Sequence, residues 1–526
     1  MWDYQYVTLD DEQKIARRIH LDWAGYRVVL SQLVLCAYVA VYRWFTRDST
    51  RRRSGLVMTL SRLEWRLSDP ISLDRPEFRC WGDWLIVLGW AAWCTVLATS
   101  NTGNGMYYYM HVTKAFGIVG AANLPMHFLL AIKRSPLRWM YGLSYEGRAN
   151  FLHRWLGRII LYLLSCHAML YLNFFWDTNR MKTRFLEFDV MCGFIAFIIM
   201  SIIGVSANHY VRNLSYRVFY LLHIILSPLL FPLMFLHVSH IRPYLYPSIT
   251  LFVGDQVLRA INRTPALASI KHISPSLIQI SAHAVFVRPL KPGSHALLRH
   301  PATTGILGSN PFSITAAITP SNREKKRIRM IARVRSNITK KLAALPTEGP
   351  RQTVAVYLDL PYGAPLYFPP LSEFDKILFV AGGVGATFAV SWIKYLSKST
   401  EGGRAALVKP GQLRFVWAVK SPEEAAWAFD DDYQGDNANE VAECVELYIT
   451  GNPPEDPDAD QGDRISTGRP SVRDLIHDTV KDAGHEGRTA ILICGPSMMG
   501  SIAKRVSARL GAQSVDLWLH VEEFGH

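Results

Sequence analysis

Long apolar segments alternate with short polar loops in the first half of the chain, up to about residue 260. A helix needs about 20 apolar residues to cross a hydrocarbon core ~30 Å thick. Residues 1–259 are therefore predicted to form a membrane all-α bundle with about seven spans. The second, third and last spans are short or interrupted by Pro, Gly or polar residues. The predicted spans are 25–44, 82–99, 113–131, 151–174, 188–207, 217–238 and 243–258.

The second half of the chain has the pattern of water-soluble α/β sequence. Residues 260–372 contain short alternating segments such as 277–286 and 352–360, separated by turn residues, which predicts β-strands. Residues 373–526 read as strand, glycine turn, helix and further strand–helix units, which predicts a doubly wound parallel sheet. The stretch 422–464 is rich in Asp, Glu, Pro and Gly and is interpreted as a solvated insertion.

Charge refines the membrane interpretation. The formal net charge is +14, but the basic residues cluster in short loops between apolar segments, which is typical of cytoplasmic membrane loops and not of a nucleic-acid surface. Basic loops at 43–79 and 133–148, with Arg212 and Arg217, are predicted to lie in the cytosol, so the N-terminus would be outside and everything after about residue 258 inside. The seven cysteines are scattered and suggest no disulfide framework.

Four histidines form two pairs with the same spacing. His153 and His167 lie fourteen residues apart in one predicted span, and His223 and His237 lie fourteen apart in another. Fourteen residues of α-helix return to within ~40° of the starting direction and rise ~21 Å. Each helix would therefore present two imidazoles on one face, one near each edge of the membrane.

Two such helices side by side offer two stacked pairs of axial nitrogen ligands, which suits two haem groups. The predicted inner pair is His153 with His223, and the outer pair is His167 with His237. The alternative is four scattered polar residues on buried helices, but intramembrane ionisable residues tend to be functional. His240 would lie ~100° off the ligand face. The chain has no CxxCH motif, so the haems would be non-covalent b-type haems.

Two strand ends in the last domain have the features of a nucleotide site. A buried strand runs into Gly382, Gly383 and Gly385, followed by Thr387 at the start of a helix, where backbone N–H groups can approach phosphate. A second strand ends at residues 494–496 (CGP), also at the presumed carboxyl edge of the sheet. A purely structural glycine turn is the alternative. Partners for a 2′-phosphate, which would favour NADPH, are Lys420 and Arg469.

Several motifs together resemble the fungal ferric reductases, within the wider ferric reductase and NADPH oxidase superfamily. Residues 141–146 (YGLSYE) and 152–158 (LHRWLGR) resemble the family's first histidine helix, and 215–217 (SYR) precede its second. The soluble half carries matching motifs in family order. These are 292–295 (PGSH), 311–313 (PFS), the Gly382 turn, 494–496 (CGP) and 522–525 (EEFG).

This resemblance implies an antiparallel β-barrel that binds FAD over 260–372, as in ferredoxin reductases, followed by an NADPH domain. Ser313 would lie near the reactive edge of the flavin, Arg333 would bind its phosphates, and Phe524 would cover its ring. The chain departs from the family pattern at Asn310, Asn337 and His526. The implied catalytic residues are Ser313, Cys494 and Phe524. The implied cofactor-binding residues are His295, Asn310, Pro311, Phe312, Ser313, Arg333, Thr339, Gly382, Gly383, Gly385, Thr387, Lys420, Arg469, Gly495 and Pro496.

The expected function is a multi-pass metalloreductase, most simply of the plasma membrane, that passes electrons from cytosolic NADPH through FAD and two b-type haems to ferric or cupric chelates outside, supporting iron uptake. Two alternatives stay open at this point. One is an NADPH oxidase that reduces oxygen to superoxide, and the other is a cytochrome-like membrane protein with an impaired reductase module. The expected partners are the lipid bilayer and the metal chelate, and no nucleic acid; the sequence names no permease or oxidase partner.

Overall fold

The structure is a computed structural model, and it describes most of the 526 residues. The chain divides into two compact units, residues 1–45 with 84–257 and residues 46–83 with 258–526. The described residues are 9–47, 55–73, 79–100, 108–137, 145–285, 290–300, 308–318, 326–335, 337–345, 353–363, 368–397, 407–409, 411–429, 441, 444–451, 464–484 and 486–522.

The first unit is a helical bundle whose helices lie where the apolar segments predicted them. Six helices within the described residues are long and apolar enough to cross a membrane. A seventh helix, at the position of the seventh predicted span, carries Arg242, Asp255 and Arg259 and is not among those six. In chain order the helices of this unit are α1 (Asp11–Arg47), α3 (Trp81–Thr99), α4 (Tyr108–Ala122), α5 (Leu124–Ala131), α6 (Asn150–Asp177), α7 (Met181–Phe185), α8 (Phe188–Ser206), α9 (His209–Leu214), α10 (Tyr216–His237) and α11 (Arg242–Ile261). Helix α2 (Gly55–Leu67) comes between α1 and α3 in the chain but belongs to the second unit.

A buried polar network ties the first helix to the rest of the bundle. The Asn123 side-chain oxygen accepts hydrogen bonds from Gln32 Nε2 (3.0 Å) and from Trp90 Nε1 (2.9 Å). The Asn123 amide donates to the Val119 carbonyl (2.8 Å). Because an unsatisfied polar group in an apolar interior costs free energy, this satisfied network favours one arrangement of the helices. Helix α1 is thus an integral part of the bundle.

The second unit begins its soluble fold with a closed antiparallel barrel, as the family resemblance implied. The strand order is β1-β2-β5-β4-β3-β6. The barrel interior is filled by aliphatic residues and Phe312, including Ile280, Ile328, Met330 and Leu358. The elements are β1 (Arg263–Ser274), β2 (Leu277–Ala284), β3 (Ser294–Arg299), β4 (Asn310–Ile318), β5 (Lys326–Arg333), α12 (Asn337–Ala343) and β6 (Val354–Gly363).

A parallel sheet of six strands follows, in the order β10-β9-β8-β7-β11-β12. Along β7, Ile377 and Phe379 face one buried cluster while Leu378 and Val380 face another, so both faces of the sheet are covered. The strand order reverses between β7 and β11, which is where doubly wound sheets bind ligands. The elements are β7 (Lys376–Gly382), α13 (Ala386–Leu396), β8 (Leu413–Val419), β9 (Val445–Ile449), β10 (Ile465–Thr467), α14 (Val472–Ala483), β11 (Thr489–Cys494), α15 (Ser497–Ala512) and β12 (Leu517–Glu522).

The stretch 422–464, predicted as a solvated insertion, contains structured and buried parts. Glu424 and Trp427 are buried in two short 3₁₀ turns. Strand β9 is hydrogen-bonded within the sheet. For these parts the prediction was wrong, because a few buried side chains and one strand pair outweigh an acidic composition; the parts at 430–440, 442–443 and 452–463 lie outside the described residues.

Candidate functional site

Helices α6 and α10 bring the four predicted histidines together in two pairs. The ring centroids of His153 and His223 lie 6.2 Å apart, and those of His167 and His237 lie 6.4 Å apart. Each pair takes one ring from each helix, because the fourteen-residue spacing is the same on both. The pairing is the one that the sequence predicted.

Backbone carbonyls from neighbouring helices orient three of these rings. The Nδ1 of His167 lies 2.7 Å from the Thr113 carbonyl, and the Nδ1 of His237 lies 2.8 Å from the Asp189 carbonyl. His153 Nδ1 lies 3.1 Å from the His127 carbonyl. A carbonyl oxygen only accepts hydrogen bonds, so in each case Nδ1 carries the proton and Nε2 keeps its lone pair. This is the tautomer that a metal-binding histidine needs.

Two glycines leave the space that the outer pair occupies. A Cβ on Gly117 would lie 2.7 Å from His167 Nδ1, and a Cβ on Gly193 would lie 2.4 Å from His237 Nδ1. Any larger residue at either position would displace the imidazole. Helices α4 and α8 therefore act as close supports for the outer pair.

The distances between paired rings fit axial ligation of one metal by both rings. With a metal–nitrogen distance of about 2.0 Å and about 1.1 Å from that nitrogen to the ring centre, two opposed imidazoles have centroids about 6 Å apart. Both pairs match this separation. Among the described residues no group of three or more His, Cys, Asp or Glu side chains is placed to hold a bare metal ion. The residues present thus fit a haem with one histidine on each face.

His127 is a residue whose part in the site the sequence did not reveal. Its ring stacks on His153 with centroids 4.1 Å apart. A Cβ on Gly157 would lie 2.9 Å from His127 Cε1, so that ring is also closely packed. No second histidine lies at a matching helical spacing from His127 in the sequence. Its place beside His153 becomes visible only from the contact between α5 and α6.

In the barrel, the predicted flavin residues lie on two adjacent strands. His295 of β3 faces Ser313 of β4 in the strand register. The His295 ring is buried and stacks on Tyr362 of β6, with centroids 5.8 Å apart. A Cβ on Gly363 would lie 2.6 Å from His295 Nδ1. The PGSH and PFS motifs therefore come together through pairing of neighbouring strands.

Asn310, Pro311 and Phe312 continue the same strand. They pair in register with Leu298, Leu297 and Ala296 respectively. Phe312 is buried in the barrel core, which is a structural position, whereas Pro311 is exposed. Asn310, Pro311 and Ser313 are therefore the residues of this motif that remain at least partly exposed.

Arg333, the predicted phosphate-binding cation, is held at the end of β5 by a buried carboxylate. Its Nη2 lies 2.6 Å from Glu424 Oε2, and Glu424 Oε1 accepts a hydrogen bond from the Ser276 hydroxyl (2.8 Å). The same Arg333 Nη2 would be 3.3 Å from a Cβ on Gly383. Arg333 Nε is buried and has no hydrogen-bond partner among the described residues. A cation with an unused buried donor beside a glycine turn fits an anionic pyrophosphate.

Thr339 lies on helix α12 and is buried. Its hydroxyl accepts a hydrogen bond from the backbone N–H of Arg335 (3.0 Å). That contact closes the turn between β5 and α12, directly after Arg333. In this structure Thr339 organises the loop.

The glycine turn and the CGP strand end meet at the switch point of the parallel sheet. A Cβ on Gly382 would lie 2.7 Å from Pro496 Cδ, and a Cβ on Gly385 would lie 2.1 Å from the Cys494 carbonyl. Gly383 has a φ of +54°, which side-chain-bearing residues rarely adopt. The Thr387 hydroxyl donates to the Val384 carbonyl (2.8 Å) and closes the first turn of α13. The three glycines therefore expose backbone at this edge, as close approach of a phosphate requires.

Cys494 lies at the end of β11, opposite Glu522 of β12 in the strand register. The thiol is buried. Burial, with a contribution from the negative charge of Glu522, raises the pKa of Cys494 well above its usual range. Both effects favour the neutral thiol over the thiolate.

The two predicted 2′-phosphate partners lie at the same edge of the sheet. Lys420 directly follows β8, and Arg469 lies two residues after β10; both side chains are exposed. Gly451 approaches the Lys420 carbonyl so closely that a Cβ there would be 2.3 Å away. Phe524 lies outside the described residues, as do residues 141–144 of the YGLSYE motif.

Glu424 is the clearest residue in the soluble unit that the sequence did not reveal. It stands in an acidic segment (SPEEAAW), next to Glu423, which is exposed. Nothing local distinguishes the two carboxylates. One weak signal exists, since Trp427 and neighbouring alanines in the same segment indicate partial burial.

Comparison with known families agrees with this architecture. Residues 116–234 match the model of the ferric reductase like transmembrane component. Residues 374–508 match the model of the ferric reductase NAD binding domain. The first match includes three of the four paired histidines, His153, His167 and His223, and ends three residues before His237. The second includes the glycine turn and the CGP strand end.

Curated relatives carry corresponding names. A probable ferric reductase transmembrane component of Candida albicans is 24% identical over 320 residues, which cover 59% of this chain and 45% of that protein. The ferric/cupric reductase transmembrane component 1 of Candida albicans is 24% identical and covers 59% and 40%. The probable cell surface ferric reductase kap2 of Aspergillus oryzae is 25% identical and covers 59% and 44%.

The chain thus spans less than half the length of these three relatives. Both family models nevertheless match in the expected order, the membrane component first and the NAD binding domain second. Part of the membrane unit and most of the nucleotide-binding domain of this chain are therefore similar to the corresponding parts of ferric reductases.

Proposed function

We propose that this protein is a transmembrane NADPH-dependent metalloreductase that reduces chelated ferric iron on the side of the membrane opposite to its soluble domains. The observation that carries the proposal is the presence, in one chain, of two opposed histidine pairs and a glycine-lined nucleotide edge. The names of the curated relatives, ferric or ferric/cupric reductases, support the same substrate class.

Each part of the chain has a stated role in this proposal. The backbone at Gly382, Gly383 and Gly385 admits the phosphates of NADPH, with Lys420 and Arg469 on the 2′-phosphate. The uncharged Cys494 side chain bounds the nicotinamide position. Ser313 of β4 would lie at the reactive edge of a bound FAD. Arg333, which Glu424 orients, would bind the flavin pyrophosphate.

Two haems b would be held by the histidine pairs, His153 with His223 and His167 with His237. When bound, FAD supplies the change from two-electron to one-electron transfer, and the haems supply one-electron carriers across the membrane. The backbone carbonyls of Thr113 and Asp189 keep the outer imidazoles in the coordinating tautomer. Hydrogen bonds of this kind also raise the basicity of the ligands.

Loop charge supports the proposed direction and location. The basic loops favour a cytosolic position for the soluble unit and an outer N-terminus, in a plasma membrane. An inside-negative potential then favours outward electron movement by ~2.3 kcal/mol per electron for each 100 mV. In this topology the sequon at Asn213 faces the cytosol and stays without a glycan, and a glycan detected there would contradict the topology.

The test is NADPH-driven reduction of ferric citrate by the full-length protein in sealed vesicles, without oxygen. The vesicles are inside-out, and NADPH is added on their outer side. We expect ferrous iron in the lumen, and we expect cupric citrate to be reduced as well. A parallel aerobic assay with superoxide dismutase measures oxygen reduction. Rapid superoxide formation without ferrous iron in the lumen would contradict metalloreduction and identify an oxidase.

A further inference from the structure

The segment between the first two membrane helices packs within the nucleotide-binding unit. Residues 46–83 belong to the second unit, although helices α1 and α3 on either side of them belong mainly to the first. This segment contains helix α2 (Gly55–Leu67), which lies against α15. The sequence predicted only a basic cytosolic loop here.

Helix α2 makes a close apolar contact with the end of α15. A Cβ on Gly511 would lie 2.4 Å from the ring of Trp65, so the indole fills the space left by the glycine. Trp65 also packs against the buried cluster that contains Val506 and Leu510 of α15. An aromatic ring seated on a glycine is a specific contact, since it depends on the small residue opposite.

Polar contacts extend the same interface on both sides of Trp65. Arg62 Nε donates to the Ser514 hydroxyl (2.5 Å). Arg505 of α15 donates to the Pro70 carbonyl (2.7 Å) and pairs with Asp69 (3.3 Å). Both pairs of partners are more than 400 residues apart in the chain. The contact therefore joins an early loop to the last helix of the sheet domain.

Helix α15 is the helix that begins directly after the CGP strand end, with Ser497 following Pro496. Its N-terminus thus lies at the nucleotide edge, and its C-terminal end carries Gly511, against which Trp65 packs. At the same time, α2 is covalently joined to α1 through residues 48–54 and to α3 through residues 68–80. Helix α2 therefore connects α15, through the chain, to the first two membrane helices.

We propose that the surface formed by Arg505 and Gly511 of α15, with Ser514 just after that helix, is a docking site for α2 of the same chain. We propose further that this docking is required for electron delivery into the membrane helices. The proposal rests on the proposed reductase function. The docked loop gives the soluble domains a second attachment besides the chain at residue 258. Productive transfer depends on fixed geometry, since small misplacements of reacting groups cost large factors in rate.

The first experiment separates reaction in the soluble unit from transfer into the membrane, using Trp65→Ala and Gly511→Leu in the full-length protein. NADPH-driven reduction of a water-soluble one-electron dye reports on the soluble unit, and anaerobic haem reduction reports on delivery. We expect dye reduction within about twofold of the unaltered protein and haem reduction slowed about tenfold or more. The matched control is Leu63→Ala, on the same helix but half-exposed, which we expect to change neither rate.

The second experiment tests docking without any reference to activity. Arg62→Cys combined with Ser514→Cys places two thiols where a hydrogen bond now joins the side chains. We expect mild oxidation to form an intrachain disulfide, detected by mass spectrometry, and we expect the disulfide to restore haem reduction in Trp65→Ala. Absence of the disulfide would overturn the docking.

If the disulfide forms but haem reduction is unchanged in both Trp65→Ala and Gly511→Leu, the coupling is overturned. If the unaltered protein reduces neither dye nor haem with NADPH, the proposed reductase function fails and the coupling fails with it. The disulfide then still decides whether α2 is docked.

Discussion

The histidine pairs of the membrane unit and the nucleotide edge of the soluble unit are built in different ways. All four paired histidines come from two helices, and one spacing in the sequence sets both pairs. The nucleotide edge draws on the ends of β7, β8, β10 and β11, and its close contacts join residues about 110 positions apart, such as Gly385 and Cys494. A site on helices is encoded locally, whereas a site on a sheet edge is encoded by strand order.

The difference also appears in what supports each site. Backbone carbonyls of neighbouring helices accept the hydrogen bonds of the membrane imidazoles, so these hydrogen bonds use no particular side chain. In the soluble unit a particular carboxylate, Glu424, holds Arg333. In the membrane unit, substitutions of the histidine ligands themselves should therefore have the main effect. In the soluble unit, substitutions of supporting residues should also impair the site.

The largest effect is expected from removing the outer pair with the double replacement His167→Ala and His237→Ala. The pair geometry predicts loss of one of two haems, so the pyridine haemochrome assay should give half the haem content of the unaltered protein. Transmembrane metal reduction should fall to background, while NADPH-driven dye reduction continues. A protein with full haem content after this double replacement would break the ligand assignment.

The control for this change is His240→Ala. His240 lies three residues beyond His237 and is exposed, and helical geometry predicted it off the ligand face. Haem content should stay unchanged. Loss of haem on replacing His240 would mean that the two helices present a different register of histidines.

The sequence predicted the membrane site better than the soluble one, for a physical reason. Helical periodicity is a local property, so the spacing of His153 and His167 determines that both face one way. Gly385 was predicted from its turn, but its contact with the Cys494 carbonyl depends on β7 and β11 being neighbours, which strand order alone decides. The partner of Arg333 could not be predicted at all, because Glu424 and Glu423 look alike in sequence.

A second large effect is expected from Gly385→Val. A Cβ at this position would lie 2.1 Å from the Cys494 carbonyl, so the turn and the strand end must move apart. NADPH oxidation should fall by about a hundredfold or more, since the phosphate approach at the helix N-terminus is lost. Stopped-flow absorbance of the full-length protein measures this rate.

The haem spectrum of the dithionite-reduced protein serves as the internal control for Gly385→Val. It should be unchanged, because the four histidine ligands lie on α6 and α10, whereas the turn follows β7. NADPH turnover equal to that of the unaltered protein would contradict the assignment of the turn as the phosphate site.

An intermediate effect is expected from Glu424→Gln, which tests whether a supporting residue matters in the soluble unit. The Arg333 and Glu424 side chains are 14% and 7% exposed. Removing one charge of a buried pair costs about 3 kcal/mol. The midpoint temperature of flavin release, followed by flavin fluorescence, should fall by several degrees.

The neighbouring replacement Glu423→Gln is the matched control for this measurement. Glu423 is exposed and lies one residue away in the same turn. Its replacement should leave the midpoint unchanged. Equal shifts for the two replacements would mean that the acidic composition of the segment matters and not the pairing of Glu424 with Arg333.

The smallest effect is expected from Gly193→Ala, which tests support in the membrane unit. The added Cβ would lie 2.4 Å from His237 Nδ1, in the space between that ring and α8. We expect haem content to stay complete, because both ligands remain, while tilting of the ring shifts the midpoint potential of the outer haem in a redox titration.

Gly89→Ala in α3 is the control, since nothing lies within 4 Å of a Cβ there. In a helix interior alanine is intrinsically better than glycine by about 1 kcal/mol, so both replacements favour their own helices. A potential shift at Gly193 without one at Gly89 can therefore come only from contact with the imidazole. Identical potentials in both variants would mean that the ring yields to the methyl group without cost, and that the outer pair is less rigidly held than its carbonyl contacts indicate.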